Sequence, residues 1–121
     1  MEEYHLSYVA VDCADPELLA DFWSRLLRVP VRTRWRQYVV LEPTRPGAPG
    51  LGFQRVPEPR SGKNRLHVDL CVEDLGVATR RAVSLGASVV GEAVEDGVTA
   101  RVLADPEGNV FCLVHGASLE P

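Results

Sequence analysis

Apolar and polar positions alternate along residues 6–13 (LSYVAVDC), the pattern of a half-buried strand. Val9, Val11 and Cys13 fall on one face, and Tyr8, Ala10 and Asp12 on the other. Asp15-Pro16 then supplies an N-cap and a first helical residue. Leu18, Leu19, Phe22, Trp23, Leu26 and Leu27 recur at helical spacing, which predicts an amphipathic helix to about Arg28, stopped by Pro30. Strands are predicted over 31–36, 37–42 and 50–56, the last two separated by the breaker-rich PTRPGAPG. PEPRSGKNR (57–65) has no periodicity and is a connector.

The second half repeats this order. LHVDLCV (66–72) alternates strictly, with Leu66, Val68, Leu70 and Val72 opposite His67, Asp69 and Cys71. Asp74 caps a helix through about Leu85, with Val77, Ala78, Arg81, Ala82 and Leu85 on one stripe and Gly86 as C-cap. Strands follow at about 88–94, 98–104 and 109–115, with turns at Glu95-Asp96-Gly97 and over 105–109. Tyr8 to His67 and Asp15 to Asp74 are both 59 positions; Phe53 to Phe111 and Gln54 to Cys112 are both 58. That near-constant offset marks an internal duplication. The predicted organisation is one α+β domain of two βαβββ modules (5–56 and 66–116) joined by the connector. Each helix covers one face of its sheet. The other faces lead to an open, mostly antiparallel barrel with a concave, partly polar interior suited to a small molecule.

Composition narrows the function. With 121 residues, 45% apolar and 25% charged, the chain is sized for one domain with a core. No run approaches about 18 apolar residues, so no transmembrane helix and no membrane partner are expected. MEEYHLSY lacks a basic n-region and does not read as a signal peptide. The net charge of −4 disfavours nucleic acid. Cys13, Cys71 and Cys112 are odd in number and form no CxxC pair, which fits reduced thiols in the cytoplasm.

The candidate chemistry lies on the faces turned away from the helices. His67 reads as a ligand contact, a general base or a weak metal ligand, or else as a hydrogen-bonded histidine lining a polar barrel. Asp69 shares its face, though i, i+2 side chains on a strand stand about 7 Å apart. Cys112 reads as a small buried hydrophobe or as a thiol facing the cavity. Tyr8, Trp35 and Tyr38 are candidate aromatic walls for a planar organic ligand, with a core ring as the alternative for Trp35. Arg32, Arg34 and Arg36 form a same-face row, either a solvated edge or an anion clamp.

DPELLADFW after the first strand, NRLHVDLCVEDL opening the second half and LADPEGNVFCL near the end, set in the duplicated plan, resemble the vicinal oxygen chelate superfamily. That group holds glyoxalase, the bleomycin-resistance proteins and the extradiol dioxygenases. The chain is most similar to its small glyoxalase-like single-domain proteins. The resemblance implies a metal held by one residue from each of four strands, here Tyr8, Gln54, His67 and Cys112. Two of these are neutral, poor donors at neutral pH, and His67 with Cys112 alone fall short of a complete site. The expectation is therefore a protein that binds a small organic molecule through Tyr8, Trp35, Tyr38, Gln54, His67, Asp69 and Cys112. It holds no tightly bound metal, with His67 the weak candidate ligand, and by resemblance it is a homodimer. The alternatives are a metal-dependent lyase, isomerase or dioxygenase with an atypical ligand set, or a non-catalytic structural or regulatory module.

Overall fold

The computed structural model describes residues 2–95 and 97–115. It divides between Arg60 and Ser61, inside the predicted connector, into two compact modules. Module one runs β1 (Tyr8–Cys13), α1 (Pro16–Leu27), β2 (Val31–Trp35), β3 (Tyr38–Leu41) and β4 (Gly50–Arg55). Module two runs β5 (Asp69–Val72), α2 (Leu75–Leu85), β6 (Ser88–Glu95), β7 (Val98–Ala104) and β8 (Val110–His115). The sheet orders are β1-β4-β3-β2 and β5-β8-β7-β6, the same plan twice. In each sheet the first and last strands pair in parallel, and the other two pairings are antiparallel.

Local chemistry accounts for the elements. The Asp15 carboxylate accepts from Leu18 N–H and the Asp74 carboxylate from Val77 N–H, so both helices start at the predicted caps. α1 ends at Arg28, left-handed at φ 58°. Phe22 and Trp23 meet edge to face at 5.3 Å and are buried with Leu19 and Ala20. Beneath them lie Val39, Leu41 and a fully buried Phe53. In module two Ala82, Leu103, Phe111 and Leu113 occupy the corresponding layer. The turn over 105–109 closes on the buried Asp105, whose carboxylate accepts from the backbone of Glu107 and Asn109 and from the Asn109 side chain.

Four expectations need correction. β5 begins at Asp69 rather than 66, so Leu66 and His67 lie in the lead-in segment. On α2 the buried residues are Thr79 and Ala82, and Val77 is more than half exposed. Thr79 is accommodated because its hydroxyl donates to the Leu75 carbonyl, 2.6 Å away. Leu18 is likewise exposed, at the edge of the α1 stripe. The arginine row does not exist. A bulge at Arg32 puts Thr33 opposite Val40 and Arg34 opposite the buried Val39, while Arg36 forms the β2–β3 turn with φ 55°. The Glu95-Asp96-Gly97 turn includes Asp96, which lies outside the described residues.

Replacing Phe53 with Ala is expected to cost about 3–5 kcal/mol in urea unfolding. Leu18→Ala is expected to cost less than about 1 kcal/mol in the same measurement, because that side chain keeps much of its water contact.

Candidate functional site

Among the described residues, two groups of side chains carry chemistry, one in each module. In module two the parallel β5–β8 ladder sets Asp69 opposite Cys112. The lead-in segment is held to β8 by Asn64, whose side-chain oxygen accepts from Val110 N–H at 2.8 Å. The Asn64 amide in turn donates to the Val110 and Leu66 carbonyls. A further bond, from Cys112 N–H to the Val68 carbonyl at 3.0 Å, continues this pairing below the strand. His67 is thereby fixed beside Asp69, with Nε2 3.3 Å from Oδ1. One donor atom each from His67, Asp69 and Cys112 lie within 4.8 Å of one another. The spacing of about 7 Å inferred for a regular strand does not hold, because His67 precedes the strand and its side chain leans over Asp69.

Asp69 is also what the repeat concealed. In module one each β1 residue faces the β4 residue 42 positions on; in module two the interval is 43. Offsets of 59 for the first strand and 58 for the last would make it 41, placing Cys112 opposite Cys71. The ladder has slid by two residues, which keeps every side chain on its face but changes its neighbour. Burial pushes the Cys112 thiol pKa up, and the charge and hydrogen bonding of Asp69 push it further, against a smaller opposing effect of Lys63. Cys71 is exposed; Cys13 is buried, its thiol 3.5 Å from the Gln54 carbonyl.

Module one is aromatic. Tyr8 stands opposite Gly50, and Gln54 stands opposite Asp12 and Tyr38, so Tyr8 and Gln54 are separated along the ladder and do not meet. Trp35 is opposite Tyr38 and 65% exposed, not a core ring. The Arg36 guanidinium sits 4.7 Å from its ring centre, on the ring rather than across the strand from it. Tyr38 lies against Gly52, where an added Cβ would come within 2.8 Å of its ring. Arg34 forms an exposed ion pair with Glu17 of α1, at 2.9 Å. Arg32, released by the bulge, lines a cleft of about 330 Å³ with Ser7, Tyr8, Pro43, Ala48 and Gly50. The sequence held no readable sign of Asn64 as a clip or of the Arg32 bulge.

Residues 8–114 match the glyoxalase-like domain family, and the chain belongs to it, within the vicinal oxygen chelate superfamily. Solved structures share the fold at low identity. A glyoxalase/bleomycin resistance protein/dioxygenase family enzyme from Burkholderia phytofirmans PsJN is similar with TM-score 0.78 and 20% identity, over 93% of this chain and 98% of that one. The hypothetical protein SA1046 from S. aureus is similar with TM-score 0.74 and 14% identity, over 95% of each chain. TioX from Micromonospora sp. ML1 gives 0.66 and 18%, over 94% and 99%. No curated protein matches the chain. Among the described residues no helix is long and apolar enough to cross a membrane.

Two measurements test the module-two geometry. Asn64→Ala should cost about 1–2 kcal/mol in chemical unfolding, since it removes the partner of a strand N–H. Asp69→Asn, in a Cys71→Ser background with chelator present, should lower the Cys112 pKa. A larger thiolate fraction should then speed iodoacetamide alkylation several-fold at mildly alkaline pH, followed by mass spectrometry.

Proposed function

We propose that the protein binds a small planar organic acid in module one. The observation that carries this reading is the cleft at Tyr8 and Arg32. Its volume of about 330 Å³ is at the lower end of the range for small-molecule sites. Arg32 supplies a planar cation suited to a carboxylate, and the Tyr8 ring an apolar surface beside it. The other arginines of β2 and its turn are engaged, Arg34 with Glu17 and Arg36 with the Trp35 ring. Trp35 and Tyr38 extend the aromatic surface on the same face of the sheet.

Binding of this kind needs shape and surface rather than bond-making, as in the sequestering branch of the superfamily. A homodimer in the cytoplasm belongs to the same proposal; three cysteines outside any disulfide accord with a reducing compartment. The neighbours described as a dioxygenase-family enzyme and as an oxidase share only the fold with this chain, and one fold hosts unrelated chemistries.

A thermal-shift and calorimetric series of aryl carboxylates against their neutral amides tests the reading. An acid at a hundred times its dissociation constant should stabilise the protein by about 2.7 kcal/mol. Arg32→Gln should abolish the preference for acid over amide, and Tyr8→Ala should weaken both. Equal binding of acids and amides by the parent protein, or no binding of either, would overturn it.

A further inference from the structure

We propose that the ring of Tyr38 is an end stop for the module-one cleft, selecting acids with one aromatic ring over acids with two fused rings. This rests on the organic-acid reading and goes beyond it by fixing the size class of the acid. The observation behind it is a strip of bare backbone on β4. Gly50 and Gly52 are successive residues on the face opposite the buried Phe53, and neither presents a side chain there. The strip starts at the floor of the cleft, which Gly50 lines, and continues to Gly52, opposite Ala10.

Two tyrosine rings bound this strip. A Cβ added at Gly50 would lie 3.8 Å from Cδ1 of Tyr8, an ordinary van der Waals approach. A Cβ added at Gly52 would lie 2.8 Å from Cε1, 3.0 Å from Oη and 3.2 Å from Cζ of Tyr38, so that ring fills the space a side chain would take. Tyr38 is paired with Gln54, two residues along β4 from Gly52. Its side chain therefore leans along the strand instead of standing over its own partner. Residues two apart on a strand are about 7 Å apart. With Tyr8 beside Gly50 and Tyr38 on Gly52, the uncovered backbone between them suits a single flat ring.

The cleft then selects its occupant by anchoring one end and closing the other. A carboxylate held by Arg32 places the attached ring over the Gly50 backbone, beside Tyr8. A second fused ring directed along β4 meets the ring of Tyr38, and a clash built against the wrong ligand is an effective source of specificity. Val40, the partner of Gly52 on β3, is buried, so the strip has a filled position on that side too. The discriminating group is the Tyr38 ring rather than its hydroxyl, because bulk is what occupies the strip.

Calorimetric titration of the full chain with benzoate and with 2-naphthoate tests the end stop. The parent protein should bind benzoate about 10-fold or more tightly than 2-naphthoate. Tyr38→Ala should remove that preference by strengthening 2-naphthoate, and Tyr38→Phe, which keeps the ring, should retain it. Tyr38→Val keeps a strand-forming residue and should act as Tyr38→Ala does, even if the alanine variant fails to fold. The proposal is overturned if the parent binds the two acids equally, or if neither Tyr38→Ala nor Tyr38→Val changes their ratio. It is also overturned if Tyr38→Phe loses the discrimination, or if the ratio falls only because benzoate weakens, which would make Tyr38 a contact and not a stop. Each of these results leaves the preference for acid over amide, and so the organic-acid reading, in place. Binding of neither acid by the parent overturns both.

Discussion

In a strand–helix–three-strand segment, the last strand returns to the side of the first, and both run in the same direction. The parallel ladder this produces is the constraint on which each module depends. It places β4 and β8 at interior positions of their sheets, where one face carries Phe53 or Phe111 toward the helix layer and the other stays open. The crossover helix covers the buried face because its own stripe of Leu19, Phe22 and Trp23 must leave water. Tyr8 and Gln54 in one copy, and Asp69 and Cys112 in the other, sit on the face of that ladder turned away from its helix.

The fold was legible because its signals are local and repeated. Alternation marked β1, capping aspartates marked both helix starts, and the constant offset marked the duplication. Each rests on the period of an element or on a single backbone hydrogen bond, and neither needs a distant partner. Neighbour identity was not legible. Strand pairing across about forty residues is set by packing and loop length, so a two-residue slide left the faces correct and exchanged Cys71 for Asp69 as the partner of Cys112.

The module-one site was less readable for a similar reason. Alternation puts Arg32, Arg34 and Arg36 on one side only if the strand is regular. One extra residue at Arg32 and a two-residue turn at Arg36 and Gln37 gave the three guanidinium groups three different surroundings. Tyr8, Trp35 and Tyr38 do share the uncovered face, though Trp35 proved to be a surface ring capped by a cation rather than a core residue. Asn64 was invisible because its work is done from an irregular segment, where no periodicity singles out a side chain that imitates a strand.

The small size of Gly52 has a wider implication. It is paired with Ala10, at the β1 position whose repeat equivalent in module two is Asp69, opposite Cys112. The Ala10–Gly52 rung carries almost no side chain, and the phenol of Tyr38 lies over it. The Asp69–Cys112 rung instead carries a carboxylate and a thiol. Because the two halves repeat one plan but differ in side chains, a substitution at one rung alters one half and leaves the other as it was.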